Sequence, residues 1–83
     1  MSMRQGAREL ITALTAAVAI DELAARDLAD VADVVAQAGS PVAAKTLRAL
    51  SGIHERRANE ARSQLGLLTE RYGGLLQGGG DTP

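Results

Sequence analysis

Along the first half of the chain, Leu10, Leu14, Ala17, Asp21, Ala24, Leu28, Val31, Val35 and Ala38 follow one another at alternating spacings of four and three, and the pattern stops at Gly39-Ser40-Pro41. Such spacing keeps residues on one face of an α-helix and is foreign to the period of two that a half-buried strand requires. Ile11, Val18, Ala25 and Ala32 widen the stripe on one side, and Ile20, Leu23 and Val34 add apolar character on the other. A stripe this broad needs more than one neighbouring helix to cover it.

The interruption has the chemistry of a sharp turn. Gly39 stands where a left-handed C-terminal cap belongs, Ser40 is an N-cap residue, and Pro41 suits the first position of a new helix. A second helix is expected from Pro41 to about Tyr72, with Leu47, Leu50, His54, Ala58, Ala61, Leu65, Leu68 and Tyr72 on its inner face. Gly73-Gly74 is expected to end it, leaving residues 73–83 as a flexible tail, and Met1 to Gln5 as a frayed start before a first helix over about 6–38. The expected fold is a single all-α domain: an antiparallel two-helix hairpin with its turn at 39–41. With roughly 30 residues in each helix, the hairpin is about 45 to 50 Å long.

A rod of two helices has little interior, and 83 residues bury too little surface for generous stability. The chain has no cysteine, which excludes disulfides and thiolate zinc sites. Self-association, most simply of two hairpins into a four-helix bundle, is the remedy the apolar pattern favours. Alanines at positions 17, 24, 25, 58 and 61 permit close helix approach. The partner expected from this is a second copy of the chain, in a homodimer or higher oligomer, with another protein as a further candidate.

Nucleic acid is not expected as a partner. Tyr72 is the only aromatic residue, so bases find no stacking platform, and the net charge of −1 gives no pull toward phosphate. Arg4 and Arg8 before an apolar run ending in Ala17-Val18-Ala19 have the outline of a secretory signal over residues 1–19. Glu9, Thr12 and Thr15 break that outline, and the helical period continues into Asp21, so a cytoplasmic protein is expected. The run is also shorter than the about 20 apolar residues that span a bilayer.

Chemistry is concentrated in one polar layer. With the turn near Gly39-Ser40, Asp21 and Glu22 fall near Arg57 and Ala58, and His54 and Glu55 lie about one turn nearer the loop. Asp21 interrupts the first seam and His54 the second. As a structural layer these groups pair with Arg26, Arg56 and Arg57, or fix register and partner number at some cost in stability. As a functional layer, Asp21, Glu22, His54 and Glu55 offer carboxylate and imidazole ligands, which suit iron, manganese or zinc once two hairpins bring two layers together. Other motifs lead nowhere. His54-Glu55-Arg56-Arg57-Ala58 lacks the second histidine of a zinc protease helix, and no nucleophile comes with a base and an orienting group. Arg56, Arg57, Arg62 and Arg71 are interleaved with Glu55, Glu60 and Glu70, as on a solvated face.

The stretch Ala19-Ile20-Asp21-Glu22-Leu23-Ala24-Ala25-Arg26, followed after the turn by Ala49-Leu50-Ser51-Gly52-Ile53-His54-Glu55, resembles the first helical hairpin of ferritin-like proteins, rubrerythrins in particular. The resemblance implies that Glu22 and Glu55 are ligands of an iron centre shared between hairpins, with Asp21 or His54 as additional ligands. It implies iron binding, oxidation or storage. The family's Glu-x-x-His histidine has no counterpart, because Ala58 stands three residues after Glu55. From the residues alone, the leading expectation is a self-associating structural or interaction protein with no resident cofactor. The resemblance supplies the alternative, an iron or other divalent-metal protein.

Overall fold

The computed structural model describes residues 2–81, with side-chain surroundings through Gly73. Two helices, α1 (Met3–Gln37) and α2 (Pro41–Asp81), pack against each other as a hairpin. There is no strand among the described residues. The rod measures 64 × 18 × 15 Å, longer than expected because the helices hold 35 and 41 residues.

Both outer ends extend beyond the expected limits. α1 begins at Met3 instead of about residue 6, because Ser2 caps it: the Ser2 hydroxyl accepts from the Gln5 amide at 3.1 Å. Ser-x-x-Gln is a recognisable helix start, so this cap is legible in the sequence. α2 does not stop at Tyr72 but continues through Gly73-Gly74 to Asp81. Glycine costs a helix interior about 1 kcal/mol relative to alanine, which weakens a helix without obliging it to end. Among the described residues only Gly39 has positive φ, at 90°, the conformation of a common helix end. The residues downstream of each glycine make the difference: Ser-Pro after Gly39 cannot prolong α1, whereas Leu75-Leu76 after Gly74 can prolong α2. The expected tail is therefore helical over Gly73 to Asp81, and Thr82, Pro83 and Met1 lie outside the described residues.

The turn forms as its residues dictate. The amide of Gly39 donates to Ala36 and that of Ser40 to Val35, both at 3.0 Å, which satisfies carbonyls that the end of α1 would leave orphaned. A Cβ at Gly39 would meet nothing within 4 Å, so it is the backbone conformation that favours glycine here.

The seam between the helices is rotated from the expected one. Ala7, Val18, Asp21 and Ala32 are buried on α1, with Ile11, Leu14, Ala25, Leu28 and Val35 half-buried between them, again at spacings of four and three. Leu14, Asp21, Leu28 and Val35 were expected inside. Leu10 and Val31 were too, yet they remain 47% and 49% exposed, and the row Ile11, Val18, Ala25 and Ala32 takes their place. On α2, Ala44 and Ala58 are buried and Ser51 is half-buried, while Leu50 lies outside. The small residues Ala44, Ser51 and Ala58 of α2 meet the row Ile11, Val18, Ala25 and Ala32 of α1. No large side chain is fully buried among the described residues, so the hairpin has a narrow contact line in place of a core.

Across the seam Asp21 reaches both His54 and Arg57 and Ser51 reaches Ala25, while Asp33 pairs with Arg48 and Glu22 with Arg62, so the partners fall on both sides of the expected register. The first turn of α2, Pro41 to Ala43, is exposed and carries the chain across, so that Ala44 is the first buried residue of α2.

Candidate functional site

The polar layer is built where two seam positions fail to be apolar. Asp21 is on the inner face of α1 because Leu14 and Leu28 hold that face against α2, and it is only 6% exposed. Its Oδ1 is 2.8 Å from Nδ1 of His54, and its Oδ2 is 3.7 Å from Nε of Arg57. With Asp21 as a carboxylate, which only accepts, His54 carries a proton on Nδ1. Asp21 thus spends one oxygen on a hydrogen bond within the seam and directs the other at the edge, where Arg57 is largely exposed.

One turn toward the loop, the Ser51 hydroxyl donates to the Ala25 carbonyl of the opposite helix at 2.7 Å. Ser51 is half-buried at the seam. The signal that finds it is its spacing of four from Leu47 and three from His54, which continues the seam where Leu50 does not. Serine, histidine and aspartate are all present, but they do not form a hydrolase relay: Ser51 gives its proton to a backbone carbonyl, so no nucleophile is activated.

Glu22 and Glu55 sit apart from this pair, on one flank of the rod. Glu22 forms an ion pair with Arg62, whose Nη1 also donates to Asn59 Oδ1 at 2.6 Å. Glu55 is exposed. Both carboxylates line an open groove of about 310 Å³, together with Arg26, Ser51, Asn59 and Arg62. Farther toward the loop, Asp33 pairs with Arg48 at 3.1 Å on the same flank. Arg57 and Arg62, expected on a solvated face, therefore reach across to α1.

The four candidate ligands divide into two sets. Asp21 and His54 face each other, and Glu22 faces a cation, so within one hairpin they do not fit a shared ion. Among the described residues no three or more His, Asp or Glu side chains are grouped as a metal site would need. What one hairpin offers chemically is a hydrogen-bonded ionisable pair inside the seam and a charged, internally paired flank outside it. No helix of the described residues is long and apolar enough to cross a membrane. Comparison with protein-family models, curated proteins and solved structures finds no match to the chain.

Proposed function

We propose that the chain is a self-associating helical hairpin with a structural or protein-interaction role, acting in the cytoplasm. One observation carries the reading: large apolar side chains on α1, among them Ile20, Leu23 and Val34, are more than half exposed in the single hairpin. Isolated exposed apolar residues are ordinary, but a row along one helix marks an interaction surface. A cytoplasmic location is part of the reading because the helical period runs from the early apolar residues into Asp21 without a break. Sedimentation at micromolar concentration tests self-association. The expected species is at least twice the 8.6 kDa chain mass. A stable, helical monomer would remove the proposal.

A second reading is ferritin-like: two hairpins share iron or another divalent metal through Glu22 and Glu55. It is favoured by the placement of both carboxylates on one groove. Protein produced with iron is compared with the Glu22→Ala, Glu55→Ala variant by metal analysis. Metal in the parent and its loss in the variant is the expected result on this reading; equal, near-zero metal in both ends it.

A further inference from the structure

The two flanks of the hairpin differ in kind. On one, Glu22 pairs with Arg62 and Asp33 with Arg48, and Arg26 and Glu55 add further charge. The other begins with the residues that immediately precede the α1 seam row, Leu10, Ala17, Ala24 and Val31, and extends outward to Ile20 and Val34. Of these, Leu10, Ile20, Val31 and Val34 are 47% to 67% exposed. α2 adds Leu50 and Ile53 on the same side, each over 40% exposed.

Resting on the self-association proposed above, we infer that this apolar flank binds the same flank of a second copy, with α1 antiparallel to α1 of the partner copy about a two-fold axis at Ile20. Three observations select this occupant and orientation. The first is area: from Leu10 to Val34 the row runs about 36 Å at 1.5 Å per residue, which over the 18 Å width of the rod approaches the roughly 800 Å² that each partner contributes to a standard interface. The second is the pattern. Ile20 is the midpoint of α1 (Met3–Gln37), and rotation about it sets Leu10 against Val31 of the partner copy and Ala17 against Ala24 of the partner copy. Alanines facing each other beside the axis let the backbones close, while leucine and valine fill the space farther out. Such an interface is isologous and closes on itself as a dimer.

The third is charge. Asp27 is the one charged residue between Ile20 and Val34 on this row. A parallel pair would set it against its own copy. The antiparallel pair sets it level with Ala13 of the partner copy, away from its own counterpart.

The absence of native cysteine makes the geometry directly measurable. Single variants Ile20→Cys, Leu10→Cys, Val31→Cys and Arg26→Cys are oxidised and separated without reductant. Ile20→Cys is expected to cross-link to its own copy, Leu10→Cys alone is not, and an equal mixture of Leu10→Cys and Val31→Cys chains is. Arg26→Cys, on the charged flank, stays uncross-linked. Leu10→Cys joining its own copy as readily as Ile20→Cys overturns the antiparallel arrangement. A sedimenting dimer that cross-links only through Arg26→Cys overturns the inference but leaves self-association intact, and turns attention to the Glu22 and Glu55 groove. A monomer removes both. Ile20→Asp gives a second test: with its side chain exposed in the hairpin it should keep helix content unchanged while weakening the dimer about 100-fold, since the new charge loses its water in the interface. A dimer as tight as the parent's would overturn the inference.

Discussion

Replacing Ala44 by leucine is expected to destabilise the hairpin by about 1–3 kcal/mol, whereas the same change at exposed Ala49 should stay within about 0.5 kcal/mol. Alanine and leucine have similar helix propensity, so the contrast isolates packing. Ala44 and Ala32 are both 0% exposed. The added isobutyl group must push the helices apart, and separation would strain the Ser51 to Ala25 hydrogen bond, which holds the helices at 2.7 Å between oxygens. For a domain of this size such a loss lowers the melting temperature by about 4–8 °C per kcal/mol. Thermal unfolding at one fixed protein concentration provides the comparison, because association would otherwise shift the midpoint. Equal midpoints for the Ala44→Leu and Ala49→Leu variants would mean that the small residues do not set the helix spacing.

The second large effect concerns Asp21 and His54. His54→Leu should destabilise by about 1–3 kcal/mol, because it leaves a carboxylate that is 6% exposed with only the distant Arg57. Asp21→Leu should cost less, since the His54 side chain is 28% exposed and water can reach it. The double variant should recover the loss and become neutral or more stable than the parent, as apolar replacements of buried ion pairs commonly do. Position 21 continues the spacing of Leu14 and Leu28, so leucine there completes an apolar row. What the polar pair supplies is register: an aspartate and a histidine must meet, and a slip by one turn would bury both unpaired. Urea unfolding of the four proteins gives the coupling energy as a double-mutant cycle. A double variant less stable than both single variants would show that the layer is worth more than an apolar substitute.

The pattern that announced the hairpin left its rotation open, and α1 shows why. Two adjacent apolar rows, one through Leu10 and Val31 and the other through Ile11, Val18 and Ala32, both accompany Leu14 and Leu28. The two rows are alike in size, Leu10, Ala17, Ala24 and Val31 against Ile11, Val18, Ala25 and Ala32, so hydrophobicity alone does not choose between them. The hairpin selects the second, against Ala44, Ser51 and Ala58 of α2, a property of two faces together that neither helix displays by itself. Leu10 and Val31 are left on the outside, in the surface assigned above to a second copy.

The polar layer was legible as a set of residues but not as a set of bonds. Asp21 and His54 stand out because each breaks an apolar spacing, and Glu22 and Glu55 because the resemblance to ferritin-like hairpins draws attention to them. Their division into a seam pair and a groove pair follows the rotation of each helix: Asp21 and His54 lie on the seam rows, and Glu22 and Glu55 one residue beyond them line the groove. Ser51 was missed for the same reason as Leu50 was misplaced: one residue of rotation exchanges them.

By itself, the sequence determined the two helices and the turn, and it motivated the proposal of a second copy. Those features come from local rules: the period of apolar residues, the left-handed glycine with serine and proline after it, and the lack of cysteine in a chain of this length. Tertiary structure decided which apolar row became the seam and which ionisable groups touch. The physical reason is that these outcomes depend on the fit between α1 and α2. Helix spacing, register and rotation are fixed jointly by both faces, and only their contact decides among the several pairings that each helix alone permits.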